Sequence, residues 1–349
     1  MQAAIMRNGT LVVDDFPDPR PGPGQILVKT LACGICGSDL HALQHGDLMV
    51  EMSADTTGDG PAGMPSPKIM DLAHDVVMGH EFCAEVLELG ENTGNTAVGD
   101  LVVSIPITMD LNGIHPIGYS NDYPGGYAEQ MVLSDFMALK VPNGLSPRHA
   151  ALTEPMAVGH HAVEKSIVRQ GDAAVVLGCG PVGLAVIAAL KLKGVEPIVA
   201  ADFSSKRREL ATVMGAHEVV DPRTEMAMDA WRRLDGRKRV VIFEAVGVPG
   251  MIDDAMRAAP RGSQILVVGV CMQADTIRPM RAVTKELSLQ FVLGYDPIEF
   301  KETLDRIADG RISVEPLITG SVDIAGVPQA FVDLADPERH AKILIEPPG

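Results

Sequence analysis

Two short runs in the first hundred residues carry side chains that could hold a metal. Cys33-Gly34-Ile35-Cys36-Gly37-Ser38-Asp39-Leu40-His41 offers two thiols, then a hydroxyl, a carboxylate and an imidazole. Gly79-His80-Glu81 adds a second imidazole beside a second carboxylate. A structural zinc site is closed by four protein ligands, and no second Cys-x-x-Cys follows the first. A catalytic zinc takes three and leaves one position open. Cys36 and His80, completed by a carboxylate, meet that need. Cys33, Cys83, Cys179 and Cys271 are expected as small buried hydrophobes.

A second chemistry is written in Gly178-Cys179-Gly180-Pro181-Val182-Gly183. The run follows an apolar strand-like segment and opens a helix-like one, the context in which G-x-G-x-x-G cradles a dinucleotide. The first glycine permits the tight turn, the second lets the backbone approach a pyrophosphate, and the third lets helix and strand pack closely. The free N–H groups of the helix start then face the phosphates. An acidic residue is expected about 20 residues on, and Asp202 stands there. A carboxylate at that place accepts the ribose hydroxyls and repels a 2′-phosphate, which favours NAD over NADP. Lys206, Arg207 and Arg208 pull the other way.

Elements must hold these groups. With 349 residues, 46% of them hydrophobic and 21% charged, the chain can fold into two ordinary domains with real cores. A net charge of −17 argues against nucleic acid and anionic membranes as partners. The start lacks a signal-peptide layout, no apolar run has bilayer length, and five scattered cysteines suit a reducing cytoplasm. The first part is rich in Gly and Pro around short runs such as 25–29, 83–88 and 100–104, which predicts an irregular antiparallel β domain. Residues 48–75, with their many Gly and Pro, read as a long surface loop. From Ala173 apolar strands alternate with helices, which predicts a parallel sheet covered on both faces. The whole is α/β, with expected boundaries at 1–155, 156–295 and 296–349.

The motifs, taken in order, resemble those of the zinc-containing medium-chain dehydrogenases. The first two runs are followed by Val98-Gly99-Asp100, Gly125-Gly126-Tyr127-Ala128-Glu129, Glu154-Pro155-Met156-Ala157-Val158-Gly159, the glycine motif, Pro316-Leu317-Ile318-Thr319 and a terminal Ala341-Lys342-Ile343-Leu344-Ile345-Glu346-Pro347. The resemblance spans nearly the whole chain. It implies a GroES-like catalytic domain joined to a Rossmann domain, and hydride transfer between an alcohol and NAD. Under it Cys36 and His80 ligate the zinc and Asp39 orients His80. Ser38 bonds the substrate oxygen and His41 is the outer end of a proton relay. Glu154 stands where polyol and diol branches carry a glutamate, and is preferred as third ligand over Glu81. Arg207 and Lys342 help hold the cofactor, with Val246 and Val268 as further cofactor contacts. The glutamate points to the polyol, sorbitol and butanediol side of the family and to a secondary alcohol, diol or polyol.

The match departs at one place. Residues 104–127 contain none of the closely spaced cysteines of the family's structural zinc lobe, so one zinc per chain is expected. The long stretch between His41 and His80 resembles an insertion of butanediol dehydrogenase-like members, and Gly37 cannot reach a cofactor phosphate as a basic residue could. A zinc-free enone or quinone reductase is disfavoured by Cys36 and His80. A non-catalytic NAD-binding scaffold is disfavoured by Ser38, Asp39 and His41. His45, His74, His115, His160 and His161 are expected as surface or hydrogen-bonded histidines. A homo-oligomer, dimer or tetramer, paired through the strand near 289–293, is expected.

Overall fold

A computed structural model describes residues 1–55 and 67–348. The antiparallel part is built on the ten-residue strand Gln25–Gly34, where buried Val28, Thr30 and Ala32 alternate with half-buried Leu27, Lys29 and Leu31. It pairs with Glu81–Leu89 on one side and, along its two ends, with Gln130–Ser134 and Lys342–Ile345 on the other. Ile318–Val322 adds a further strand parallel to Lys342–Ile345. The last residues therefore return to the sheet that carries the first motifs, where Leu344 and Ile345 stand opposite Gly34 and Cys33.

The middle of the chain forms a six-stranded parallel sheet. Its central strand Ala173–Leu177 lies between Ile198–Ala201 and Val240–Glu244, with Glu218–Val220 outside the former and Gln264–Val267, then Ser288–Phe291, outside the latter. Along the central strand Ala174 and Val176 enter one apolar core, while Ala173 and Val175 enter another on the opposite face. Near-continuous apolar strands are what two covered faces demand. The helix Pro181–Leu192, apolar nearly all round, fills the first of these cores. No described helix is long and apolar enough to cross a membrane.

The long stretch after His41 is not all loop. The helix Gly37–Asp55 runs through residues 48–55, broken at His45, whose φ of −137° and ψ of 33° leave the helical region. Met49 and Val50 pack on the core, an apolar spacing hidden by the glycines and prolines that follow. The rest of that loop reading falls partly on residues 56–66, outside those described.

The cysteine-free segment 104–127 is held by a polar cluster. It forms a hairpin of Ile107–Asp110 and Gly113–Pro116. Asp110 accepts from the Asn112 N–H at 2.7 Å, lies 3.0 Å from His115 Nε2, and accepts from the Tyr123 hydroxyl at 3.0 Å. Gln25 ties Tyr123 to the main sheet at 3.1 Å. Burial alone would raise the Asp110 pKa, but His115, the Asn112 N–H and Tyr123 overcome it and bring it down to about 2 from 3.8. A depressed folded pKa contributes stability above the ordinary value, and that stability fades as pH falls through the folded one. We expect Asp110→Asn to melt a few degrees below the wild type at neutral pH, the difference shrinking as pH falls from about 4 towards about 2. Thermal melts across that range measure it; a constant gap would refute the assignment.

Candidate active site

Cys36 leaves the end of the long strand, and the helix from Gly37 starts at once, so Ser38, Asp39 and His41 occupy its first two turns. His80 and Glu81 sit where the neighbouring strand Glu81–Leu89 begins. The pairing of Gly34 with Glu81 brings the two motifs together. Asp39 is fully buried, and its carboxylate is surrounded by donors. The Cys36 N–H donates at 3.0 Å and the Tyr127 hydroxyl at 2.6 Å. Tyr119 Oη lies 2.9 Å from both Asp39 Oδ1 and Ser38 Oγ. His80 Nδ1 lies 3.3 Å from Asp39 Oδ1, which turns Nε2 to the other side, 3.5 Å from Ser38 Oγ. Burial opposes charge on His80, yet the Asp39 carboxylate outweighs it and holds the imidazole pKa well above its ordinary value.

Donor atoms of Cys36, His80 and Glu81 all lie within 4.8 Å of one another. Thiolate, imidazole and carboxylate are the donor set zinc takes, with imidazole fixed through its other nitrogen by a carboxylate. The residues fit the ion. Glu154, which sequence reasoning preferred as the third ligand, stands outside that group. It bonds Tyr295, and burial pushes its carboxyl up to about 7 against the pull of His80. Lys342, expected at the cofactor, lies fully buried with Nζ 2.6 and 2.7 Å from the two Glu81 oxygens and 2.9 Å from the Ile35 carbonyl. The strand Lys342–Ile345, paired with the end of Gln25–Gly34, brings it beside Glu81 of the candidate metal group. His41 is half-buried, and burial followed by the nearby His45 lowers its pKa; the two rings stack with centroids 6.4 Å apart.

At the other site Gly178 adopts φ +92°, and a Cβ on Gly183 would stand 2.0 Å from the Gly178 carbonyl oxygen, so both glycines are required. Asp202 follows the second strand and accepts from the N–H groups of Cys179 and Ser204, both at 2.8 Å. Val246 lies against Gly178, while the Val268 N–H donates to the Glu244 carbonyl. Arg207 has a buried Nε with no hydrogen-bond partner, an atom that an anionic or heteroaromatic ligand would satisfy. Pro181 and Val182 open the helix behind the turn. The nucleotide-binding residues fit a dinucleotide.

The other histidines find structural partners. His160 meets Glu302 and Arg306, His74 meets Asp71, and His161 meets Glu299. His161, Asp296 and Glu299 form a second group of metal-binding types, but Glu299 also closes the capping box of the helix Pro297–Ala308. Sequence reasoning missed Tyr119, Tyr127 and Tyr295 as parts of the site. A signal was present: the chain has only four tyrosines, and three of them fall between 119 and 127.

Comparison with known proteins agrees with this geometry. Residues 22–143 match the alcohol dehydrogenase GroES-like domain, and residues 181–309 match the zinc-binding dehydrogenase domain. The chain is 32% identical over 99% of its length to the whole of a (R,R)-butanediol dehydrogenase of Bacillus subtilis. The crystal structure of 2R,3R-butanediol dehydrogenase from Bacillus subtilis superposes with a TM-score of 0.83 at 31% identity, covering 99% of both chains. A structure described as a zinc-binding dehydrogenase from Sinorhizobium meliloti, bound to NADP, superposes with a TM-score of 0.82 at 26% identity, again over 99% of both. Sorbitol dehydrogenases match as well. The chain belongs to the zinc-containing medium-chain dehydrogenases, on their polyol and butanediol dehydrogenase branch, and is an alcohol dehydrogenase using zinc and a nicotinamide cofactor.

Proposed function

We propose that the protein oxidises a secondary alcohol, diol or polyol to a ketone with NAD, in the cytoplasm, using one zinc ion per chain held by Cys36, His80 and Glu81. The observation that carries this reading is the convergence of those three donors beside Ser38. When bound, zinc supplies Lewis acidity that lowers the pKa of a coordinated hydroxyl, and the nicotinamide takes the hydride. The residues do the rest. Asp39 holds the His80 ring so that Nε2 faces the site. Ser38 Oγ, 3.5 Å from that Nε2, is placed to bond the substrate oxygen and take its proton, with His41 one turn further along the same helix as the outer end of the relay. Glu154 and Tyr295, bonded to each other and within electrostatic reach of the donor set, favour a substrate with a further hydroxyl to bond.

Lys342 neutralises Glu81 without removing it from the donor group. The place of Glu81 in that group supports it as ligand, with Glu154 as its water-linked or substrate-facing neighbour. We expect one zinc per chain by metal analysis, lost with activity in Cys36→Ser. Glu81→Gln should lower zinc retention more than Glu154→Gln does; the reverse order would return the ligand role to Glu154. A screen of NAD reduction over diols, polyols, cyclic and aromatic alcohols tests the substrate class, and an unmoved signal throughout would sink the reading.

NAD over NADP rests on Asp202, at the end of the second strand. Two nearby cations are already engaged, Arg208 by the carbonyls of Asp202 and Phe203 and Arg223 by Asp221 and Phe203, while Arg207 keeps an unpartnered Nε. Asp202→Ala should lower kcat/KM for NAD by about tenfold or more, the value of a charged hydrogen bond, and that for NADP by less. Equal losses would remove Asp202 as the discriminator.

We also propose a dimer through Ser288–Phe291. It is the outer strand of the parallel sheet, and Phe291 and Leu293 beside it are 66% and 85% exposed. An unpaired, apolar edge invites another strand. Light scattering on Leu293→Asp should report monomer where the wild type reports dimer; a monomeric wild type refutes the pairing.

A further inference from the structure

The hydroxyl of Tyr119 lies between two oxygens. It is 2.9 Å from Asp39 Oδ1 and 2.9 Å from Ser38 Oγ. A phenol has one hydrogen to give and lone pairs with which to accept. A serine hydroxyl also has one hydrogen, whereas a carboxylate has none. Asp39 is buried and takes donors on both oxygens, from Cys36 N–H and Tyr127 as well as from this side. The arrangement that satisfies all three groups at once gives the Tyr119 hydrogen to Asp39 and leaves Tyr119 Oη to accept the hydrogen of Ser38. The tilted contact of the Tyr119 ring with His80, centroids 5.3 Å apart, fixes the phenol against the donor group it serves.

The consequence falls on Ser38. A free serine hydroxyl rotates and presents its hydrogen or a lone pair to a neighbour with little preference. Once its hydrogen is drawn to Tyr119, a lone pair of Ser38 Oγ faces the side of His80 Nε2, where the donor group lies. We propose that Tyr119 is a positioning residue that sets the hydroxyl of Ser38 as an acceptor towards the alcohol. It does not touch the reacting atoms; it acts through Ser38, whose own hydrogen leaves Tyr119 for the relay towards His41 as the alcohol proton arrives on Oγ. The inference rests on the proposed role of Ser38 in alcohol oxidation, and it extends that role by naming what orients it.

The alternative is that Tyr119 serves only Asp39, as one more donor to a buried carboxylate. A double-mutant cycle separates the two. Tyr119→Phe removes one oxygen and keeps the ring. The expected result is a fall of about tenfold in kcat/KM for the alcohol, the size of one lost hydrogen bond, with the KM for NAD and the zinc content at wild-type values. In a Ser38→Ala background the same substitution should change kcat/KM by less than twofold, since nothing remains to be oriented. A full tenfold loss in that background, or a loss of zinc in Tyr119→Phe, would place the effect on Asp39 and overturn the proposal.

The zinc-free, cofactor-free protein supplies a readout that needs no activity. The falls in Tm caused by Tyr119→Phe and Ser38→Ala should be less than additive in the double variant, because both remove the same hydrogen bond. Additive falls would overturn the contact itself. A wild type that couples the two residues thermally but oxidises no alcohol would overturn the parent reading instead, and so distinguishes the two failures.

Discussion

The site depends on burying the Asp39 carboxylate. Removing a charge from water is unfavourable by several kcal/mol unless hydrogen bonds replace the lost solvent, so a chain that buries one must bring donors to it. Here they come from three separate stretches: the Cys36 N–H at the start of the helix, His80 at the head of a strand, and Tyr119 with Tyr127 from the segment that closes the domain. Three of the four donors arrive attached to something the proposed chemistry uses. Cys36 and His80 belong to the group that could hold the metal, and Tyr119 touches Ser38. Satisfying one buried charge therefore assembles the catalytic groups, and the energy that would be lost by moving any of them holds the others in register.

The Lys342–Glu81 pair performs a related service over a longer stretch of chain. Both side chains are buried, and their contact joins the last strand to the strand that begins at Glu81. Such a pair adds little net stability compared with apolar packing, but breaking it strands a charge. That penalty fixes the carboxy-terminal segment on the first sheet after the chain has passed through the whole parallel-sheet region. The ammonium also balances carboxylates that would otherwise crowd a small volume, since Glu154 lies close enough to feel both Glu81 and Lys342.

Much of this was legible in the sequence, and the parts that were not share a cause. The parallel sheet could be read because each strand carries its own apolar signal, as Ala173–Leu177 does. Cys36, His80 and the glycine turn could be read because short motifs hold their chemistry within a few residues. Local composition misled at residues 48–55, where glycines and prolines further on masked a helix. Side-chain pairing across the fold was out of reach altogether. Nothing near Lys342 distinguishes a residue bound for Glu81 from one bound for a cofactor, and nothing near Tyr119 announces Ser38, because both contacts are made by register and packing.

The acidic composition gains a meaning that net charge did not convey. A surplus of Asp and Glu reads as a solvated, repelling surface. Several of these carboxylates instead organise loops from within. Asp135 accepts the N–H groups of Gly94, Asn95 and Thr96 together with the Thr96 hydroxyl. Asp110 gathers the hairpin of the cysteine-free lobe, Asp202 joins the glycine turn to the next helix, and Asp253 draws in Arg278 and Arg281. An irregular β domain has many backbone N–H groups with no strand partner, and each must be satisfied. A carboxylate accepts several at once from directions that no ladder offers. The lobe that relatives of this resemblance close with cysteines is closed here by the same means as the active site, a buried or half-buried aspartate around which short segments converge.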